Sequence, residues 1–191
     1  MGMEKVVVFD FDGTLVQGES FFPYLWSVHK WGLISSLPHL LAYPFNKDRV
    51  KLKEAMIEGT LGGMVYEEAL EAGERFYHKW VVPRLKGDIV KALQRNQKEK
   101  FRTILVSANI TPVILSAKKH LGFDEHLCSE LELDKNGKIT GKLSTPNCRG
   151  EEKVHRLKSF LDGEQVVVEA YGNSEGDRPL LIWSDIPHWV K

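Results

Sequence analysis

Two aspartates, Asp10 and Asp12, stand one residue apart near the start of the chain and precede Gly13. The apolar run 6–9 directly before them is β-branched at three of its four positions, which predicts a strand buried on both faces. In an ideal strand the two carboxylates would share one side and repel each other, unless the chain turns and a cation lies close. Gly13 favours such a turn. The pattern therefore predicts a charged site at the carboxyl end of a parallel strand, where α/β sheets place their chemistry.

Two later apolar runs, 101–107 and 165–171, also end in polar residues, and a helix predicted over 150–161 carries a lysine between them. Because the carboxyl ends of parallel strands meet at one edge of a sheet, we expect these side chains to converge with the two aspartates. The residues concerned are Ser107, Asn109, Lys153, Asn173 and Asp177. Carboxylates beside a lysine suit phosphoryl transfer, which depends on positioning and on neutralising charge.

The elements that would position these residues form an α/β fold. Residues 18–85 carry apolar side chains at three- and four-residue spacing, interrupted by prolines and glycines. This pattern predicts a block of helices that is too long for one crossover between strands. We therefore predict a Rossmann-like parallel-sheet core from residues 1–17 and 86–191, with an inserted α-helical cap from residues 18–85.

A small β-hairpin is predicted before the lysine-bearing helix. Asn136 and Gly137 lie between two alternating runs, 127–133 and 138–143, and Asn-Gly between such runs is a strong hairpin signal. After the last core strand, residues 186–191 predict an additional edge strand.

Composition narrows the class of protein. The 191 residues contain 26 Lys+Arg and 26 Asp+Glu, so there is no global positive field and we expect no nucleic-acid partner. Two cysteines do not indicate a disulfide framework, and no signal-peptide pattern or membrane-spanning run is present, so we expect a cytoplasmic protein without a membrane span. The seven histidines show no His-x-x-x-His spacing, so we expect no zinc site.

The run Asp10-Phe-Asp12-Gly-Thr14 resembles the first motif of the haloacid dehalogenase superfamily, whose members are mostly magnesium-dependent phosphohydrolases. The three later motifs of that superfamily are similar to the surroundings of Ser107, Lys153 and Asn173 to Asp177, in that order. The helical insert and the hairpin resemble the phosphoserine-phosphatase-like subgroup, subfamily IB, with a cap of the C1 type.

The resemblance implies a role for each site residue. Asp10 is the nucleophile that forms an aspartyl-phosphate, and Asp12 protonates the leaving oxygen and later activates water. Ser107 and Lys153 bind the phosphoryl oxygens, and Asn109 and Glu19 are further candidate substrate contacts. The implied cofactor is Mg²⁺, held by Asp10, Asp12, Asn173 and Asp177. The expected substrate is a small phosphomonoester.

Two departures from the subgroup's pattern concern specificity and metal affinity. Gly73 stands where an arginine would clamp the substrate carboxylate, and the nearest arginine is Arg75. Asn173 stands where the family usually has a metal-binding aspartate, so one ligand charge is missing.

Two alternative functions remain open. The chain also resembles lipid-phosphate phosphatases of the phosphatidylglycerophosphatase C type, and Leu33 to Phe45 is the candidate stretch for peripheral contact with a membrane surface. A weakly active relative that binds a phosphorylated ligand is the second alternative, supported by Asn173. The sequence does not predict the oligomeric state.

Overall fold

The computed structural model describes residues 4–36 and 48–191. Its centre is a five-stranded, all-parallel sheet, and a separate two-stranded antiparallel hairpin lies beside it. In chain order the strands are β1 (Glu4–Phe9), β2 (Arg102–Ile110), β3 (Glu125–Ser129), β4 (Leu131–Leu133), β5 (Ile139–Leu143), β6 (Val166–Gly172) and β7 (Ile186–Trp189). The order in the sheet is β3-β2-β1-β6-β7, and β4 pairs with β5. The α/β fold class predicted from the sequence is thus confirmed.

Helices cover both faces of the sheet, and several of the described ones lie in the long connection after β1. They are α1 (Phe21–His29), α2 (Arg49–Leu61), α3 (Tyr66–Phe76), α4 (Gly87–Lys98), α5 (Thr111–Leu121), α6 (Glu151–Leu161) and α7 (Arg178–Trp183). Shorter 3₁₀ segments lie at Lys30–Ser36 and Val82–Arg84, and a π-helical turn at Tyr77–Val81 continues α3.

The strand β1 is central because both of its faces are apolar. Val7 and Phe9 belong to the hydrophobic cluster on one face of the sheet, and Val6 and Val8 belong to the cluster on the other. All four are fully buried, as expected for a strand of a parallel sheet covered on both sides. The predicted buried run therefore fixes the strand that carries Asp10 in the middle of the fold.

The hairpin is smaller than the sequence pattern predicted. Residues 127–133 were expected to form one arm, but β3 takes Glu125–Ser129 into the main sheet as a parallel strand, and only Leu131–Leu133 pairs with β5. The buried Ser129 hydroxyl donates to the Ala108 carbonyl at 3.0 Å, which attaches this part of the run to β2. Alternation of apolar residues shows which face is buried but not which strand is the partner, and this explains the error.

The hairpin packs against the helical insert. Gly63 N–H donates to the Ile139 carbonyl at 2.8 Å, and Leu143 N–H donates to Glu54 on α2 at 3.1 Å. A Cβ at Gly141 would lie 2.5 Å from the Glu58 Cβ, so only glycine permits this approach. The division into a core and a cap of residues 18–85 stays a prediction.

The candidate membrane-surface stretch, Leu33 to Phe45, lies mostly outside the described residues, because 37–47 are not part of the description. Among the helices that are described, none is both long enough and apolar enough to cross a bilayer.

Candidate active site

Lys153 lies between two carboxylates at the carboxyl edge of the sheet. Its ammonium donates to Asp10 Oδ1 and Asp177 Oδ1, each at 2.6 Å, and to the Val106 carbonyl at 3.0 Å. Only 2% of the Lys153 side chain is exposed, so its three N–H donors are all used inside the protein. Burial alone would lower the pKa of Lys153, but the two carboxylates outweigh burial and raise that pKa, so the group stays charged.

Asp10 is buried where β1 ends. Its backbone N–H donates to the Tyr171 carbonyl at 2.9 Å, which fixes the main chain against β6. Besides Lys153, the Thr14 hydroxyl donates to Asp10 Oδ2 at 2.9 Å. Burial raises the pKa of Asp10, and the Lys153 charge opposes that increase.

Asp177 anchors the loop after β6. Its Oδ2 accepts from the Ser174 hydroxyl at 2.8 Å and from the backbone N–H groups of Ser174 and Asn173 at 3.0 and 3.2 Å. Burial opposes ionisation, but Lys153 and these donors lower the pKa of Asp177. Because both oxygens of Asp177 are engaged, this geometry supports a positioning role for it, and its predicted role as a metal ligand stays untested.

Asp12 is held by a different set of donors. Ser20 donates to Asp12 Oδ1 from its N–H at 2.8 Å and from its hydroxyl at 2.5 Å, and Asn109 donates to Oδ2 at 2.9 Å. Burial raises the pKa of Asp12 to about 7, with the Ser20 bonds opposing the rise and the nearby charge of Asp10 adding to it. A carboxyl group with that pKa can give up and take back a proton near neutral pH.

An irregularity in β2 brings Ser107 and Asn109 to the site. Pairing with β3 shifts register between Ser107 and Ile110, and the Asn109 N–H donates to the Ser107 hydroxyl oxygen at 3.0 Å. Both side chains are buried at this edge. The strand continues to Ile110, three residues further than the end predicted at Ser107.

Asn173 lies over the turn at Gly13. The Thr14 hydroxyl that bonds Asp10 is also 3.3 Å from Asn173 Oδ1. Gly13 has φ +77°, which favours glycine, and a Cβ there would lie 2.1 Å from Asn173 Nδ2, so any other residue would also displace the Asn173 side chain. The residues after β1 and β6 are therefore fitted to each other.

These positions suit a hard divalent cation. The Thr14 hydroxyl contacts carboxylate and amide oxygens of Asp10 and Asn173, so those oxygens converge on one region, and Mg²⁺ prefers such oxygen ligands. These oxygen ligands therefore fit Mg²⁺, the cofactor that the sequence resemblance implies.

A cavity of about 370 Å³ opens beside Asp12. The residues that line it include Asp12, Glu19, Lys53, Asn109, Asn147 and Arg149. Lys53, from α2, donates to the Ala108 carbonyl at 2.5 Å and to Asn147 Oδ1 at 2.8 Å. Burial lowers the pKa of Lys53 to about 8. The cavity wall thus carries two carboxylates, Asp12 and Glu19, together with the cationic side chains of Lys53 and Arg149.

The predicted site residues all lie in this region, with Glu19 on the cavity wall and the others at the sheet edge. Gly73, the position of the expected arginine, does not line this cavity. A Cβ at Gly73 would lie 2.1 Å from the Pro112 carbonyl oxygen, so an arginine does not fit there. Arg75 lines a separate cavity with Trp26 and Trp80 and pairs with Glu71.

Sequence reasoning missed Ser20 and Lys53. Ser20 carries a signal, since it is a hydroxyl residue near the start of the predicted helical insert, where such residues often cap helices. In the structure its hydroxyl contacts Asp12 and caps no helical N–H. Lys53 resembles any other charged residue of a surface helix, and only packing of α2 over the sheet edge distinguishes it.

The fold and this arrangement of strand-end carboxylates with a buried lysine define a hydrolase of the haloacid dehalogenase-like family. The model of that family matches residues 7–181, and the chain belongs to it. The resemblance stated from the motifs is therefore confirmed.

Individual relatives match nearly the whole length of this chain. The chain is 30% identical to protein CicA of Caulobacter vibrioides over 97% of its own length and 86% of that protein. A protein of unknown function from Bordetella pertussis Tohama I has a similar structure, with a TM-score of 0.77 at 21% identity, covering 95% and 87% of the two chains. A phosphoserine phosphatase solved as an analogue of its phospho-aspartyl intermediate gives a TM-score of 0.66 at 16% identity, covering 96% and 84%. The last two likenesses show a shared fold.

Proposed function

We propose that this hydrolase is a magnesium-dependent phosphatase that acts on a small phosphomonoester through an aspartyl-phosphate on Asp10. The observation that carries the proposal is the Asp10–Lys153–Asp177 triad at the sheet edge, with the Asp12 carboxyl group held close by through hydrogen bonds from Ser20 and Asn109. The fold neighbour solved as a phospho-aspartyl analogue supports the same mechanism. Hydrolysis of an aryl phosphate in magnesium, and its loss in chelator, tests the reaction class.

In the first step an Asp10 oxygen attacks phosphorus while the ester oxygen leaves, and Asp12 gives that oxygen its proton. In the second step the ionised Asp12 takes a proton from water, which attacks the phosphorus of the acyl phosphate and releases Asp10. Ser107 donates a hydrogen bond to a phosphoryl oxygen, and the Lys153 ammonium neutralises charge on the phosphoryl group. Asn109 and Ser20 hold Asp12 in one orientation throughout.

Asp10, the Asp12 backbone carbonyl and Asn173 would hold Mg²⁺, which would supply charge neutralisation at the phosphoryl group. Asn173 offers an amide oxygen without a charge, so magnesium affinity is set lower than an aspartate would set it. Asp177 keeps Lys153 and the Asn173 loop in place.

Asn173→Asp is therefore expected to lower the magnesium concentration for half-maximal activity roughly tenfold, because a ligand charge is added. Calorimetric titration of magnesium measures the same shift without turnover. Asn136→Asp, which adds an equal charge at the exposed hairpin tip, is the matched control. Equal magnesium midpoints in both variants and in wild type would show that Asn173 does not contact the ion.

We propose further that Lys53 recognises a second anionic group of the substrate, in place of the arginine that Gly73 excludes. Its ammonium lies on the cavity wall beside Asp12 and makes two hydrogen bonds to described residues, so one of its three N–H donors can serve a ligand. Arg149 lines the same cavity and adds positive charge. The preferred substrate is then a phosphomonoester that also carries a carboxylate or similar anion.

Lys53→Met is expected to raise KM about tenfold for a carboxylate-bearing phosphomonoester and to leave KM for a neutral aryl phosphate unchanged. Because burial holds the pKa of Lys53 near 8, its charge is lost as pH rises through that value. Wild-type KM for the carboxylate substrate should therefore rise above pH 8, and the variant's KM should not.

Lys51→Met is the matched control for that experiment, since Lys51 lies on the same helix and is 73% exposed. An equal effect of the two substitutions, or an equal effect on both substrates, would contradict a recognition role for Lys53.

The alternatives lead to different measurements. A lipid-phosphate phosphatase would require anionic vesicles for activity, and a phospho-ligand-binding relative would bind phosphomonoesters without turnover.

The predicted cytoplasmic location agrees with two buried free thiols, Cys128 and Cys148.

A further inference from the structure

Glu74, His78 and His120 form a cluster that takes no part in the proposed reaction. Their nearest ligand atoms all lie within 4.8 Å of one another. Glu74 is on α3, His78 is on the π-helical turn that follows, and His120 is in the last turn of α5. The cluster thus joins the predicted cap to the predicted core.

The packing around the cluster holds the two imidazoles in place. The Tyr77 ring stacks on His120 with centroids 4.6 Å apart, and it meets His78 edge-on at 5.5 Å. His78 and His120 meet edge-on at 4.7 Å. Both Nε2 atoms face Glu74 Oε1, that of His120 in direct contact and that of His78 at 3.6 Å.

Although the spacing of the histidines along the chain predicts no zinc site, we propose that Glu74, His78 and His120, which meet only in the folded chain, bind a zinc-type divalent metal ion. Two imidazole nitrogens and one carboxylate oxygen are a donor set that zinc accepts, with water as the fourth ligand. The exposed edge of the cluster, where His78 is 58% exposed, leaves room for that water. Binding of the metal ion would bring the two Nε2 atoms and the carboxylate oxygen closer together and would link α3 to α5.

The other explanation is an ion-pair network around Glu74, and Lys119 distinguishes the two. The Lys119 ammonium lies 3.2 Å from Glu74 Oε1 and is 69% exposed, so it competes with a metal for that oxygen and can swing away. If the cluster binds a metal ion, the Lys119 ammonium weakens that binding. If the cluster is only an ion-pair network, the Lys119 ammonium stabilises it.

Calorimetric titration of Zn²⁺ into the full chain, in excess Mg²⁺ to occupy the proposed catalytic site, tests the proposal. We expect one zinc per chain, binding at least about tenfold weaker in His78→Gln and in His120→Gln, and tighter in Lys119→Gln. His155→Gln is the matched control, because His155 is also an exposed helical histidine paired with one glutamate, Glu152. It should bind zinc as wild type does.

Thermal unfolding provides the second measurement. Zinc should raise the Tm of wild type and of His155→Gln but not that of His78→Gln. The His78 side chain is exposed, so the His78→Gln variant should still fold. Zinc stoichiometry and affinity that are equal in wild type, His78→Gln and His120→Gln would overturn the proposal, and so would a Lys119→Gln variant that binds zinc no tighter. Neither result bears on the phosphatase activity.

Discussion

Asp10→Asn should reduce kcat/KM for an aryl phosphate by roughly 10⁴-fold or more, because the variant lacks the oxygen nucleophile on which the two-step reaction depends. The amide has nearly the same shape and can still accept from Lys153, whose second partner Asp177 keeps the ammonium paired. The variant should therefore fold, and its loss of activity would report chemistry.

The matched control for this variant is Asp88→Asn, in the exposed first turn of α4, which should retain wild-type turnover. Trapping gives a second readout: borohydride reduces an acyl phosphate to an alcohol, so wild type quenched during turnover should carry homoserine at position 10. Substantial activity in Asp10→Asn, or a trapped adduct at another residue, would rule out Asp10 as the nucleophile.

Lys153→Met should lower the free energy of unfolding by about 3–5 kcal/mol and reduce activity by at least about 10³-fold. The substitution leaves Asp10 and Asp177 buried and facing each other without the cation that both contact at 2.6 Å. It also removes the positive charge that the proposed reaction places against the phosphoryl group. Denaturant unfolding and steady-state kinetics measure the two losses.

The physical cause of the stability loss can be tested with a double-variant background. In Asp10→Asn/Asp177→Asn the two neighbours of Lys153 carry no charge, so adding Lys153→Met there should cost much less than it does in wild type. An equal cost in both backgrounds would mean that lost packing of the lysine stem, and not an uncompensated pair of carboxylates, destabilises the protein.

The sequence by itself determined the strands β1, β2 and β6 and the residues that follow them at the carboxyl edge of the sheet. The four-residue apolar run before Asp10 is β-branched at three positions, which favours a strand at the centre of a sheet covered on both sides. The same reasoning places Ser107 and Asn173, because parallel strands end at one edge. For these residues the local sequence pattern was sufficient, because the place of a residue at the end of a strand decides its place in the site.

Tertiary structure alone decided which distant residues meet. Whether residues 127–133 pair with β5 or β2 depends on a competition between partners that alternation does not record. Lys53 reaches the cavity only because α2 packs over the sheet edge, and Glu74 meets His120 across 46 residues of chain. Gly73 shows the same limit, since the arginine it replaces is excluded by the Pro112 carbonyl of another helix. Such contacts arise from helix packing, which the spacing of residues along one segment does not encode.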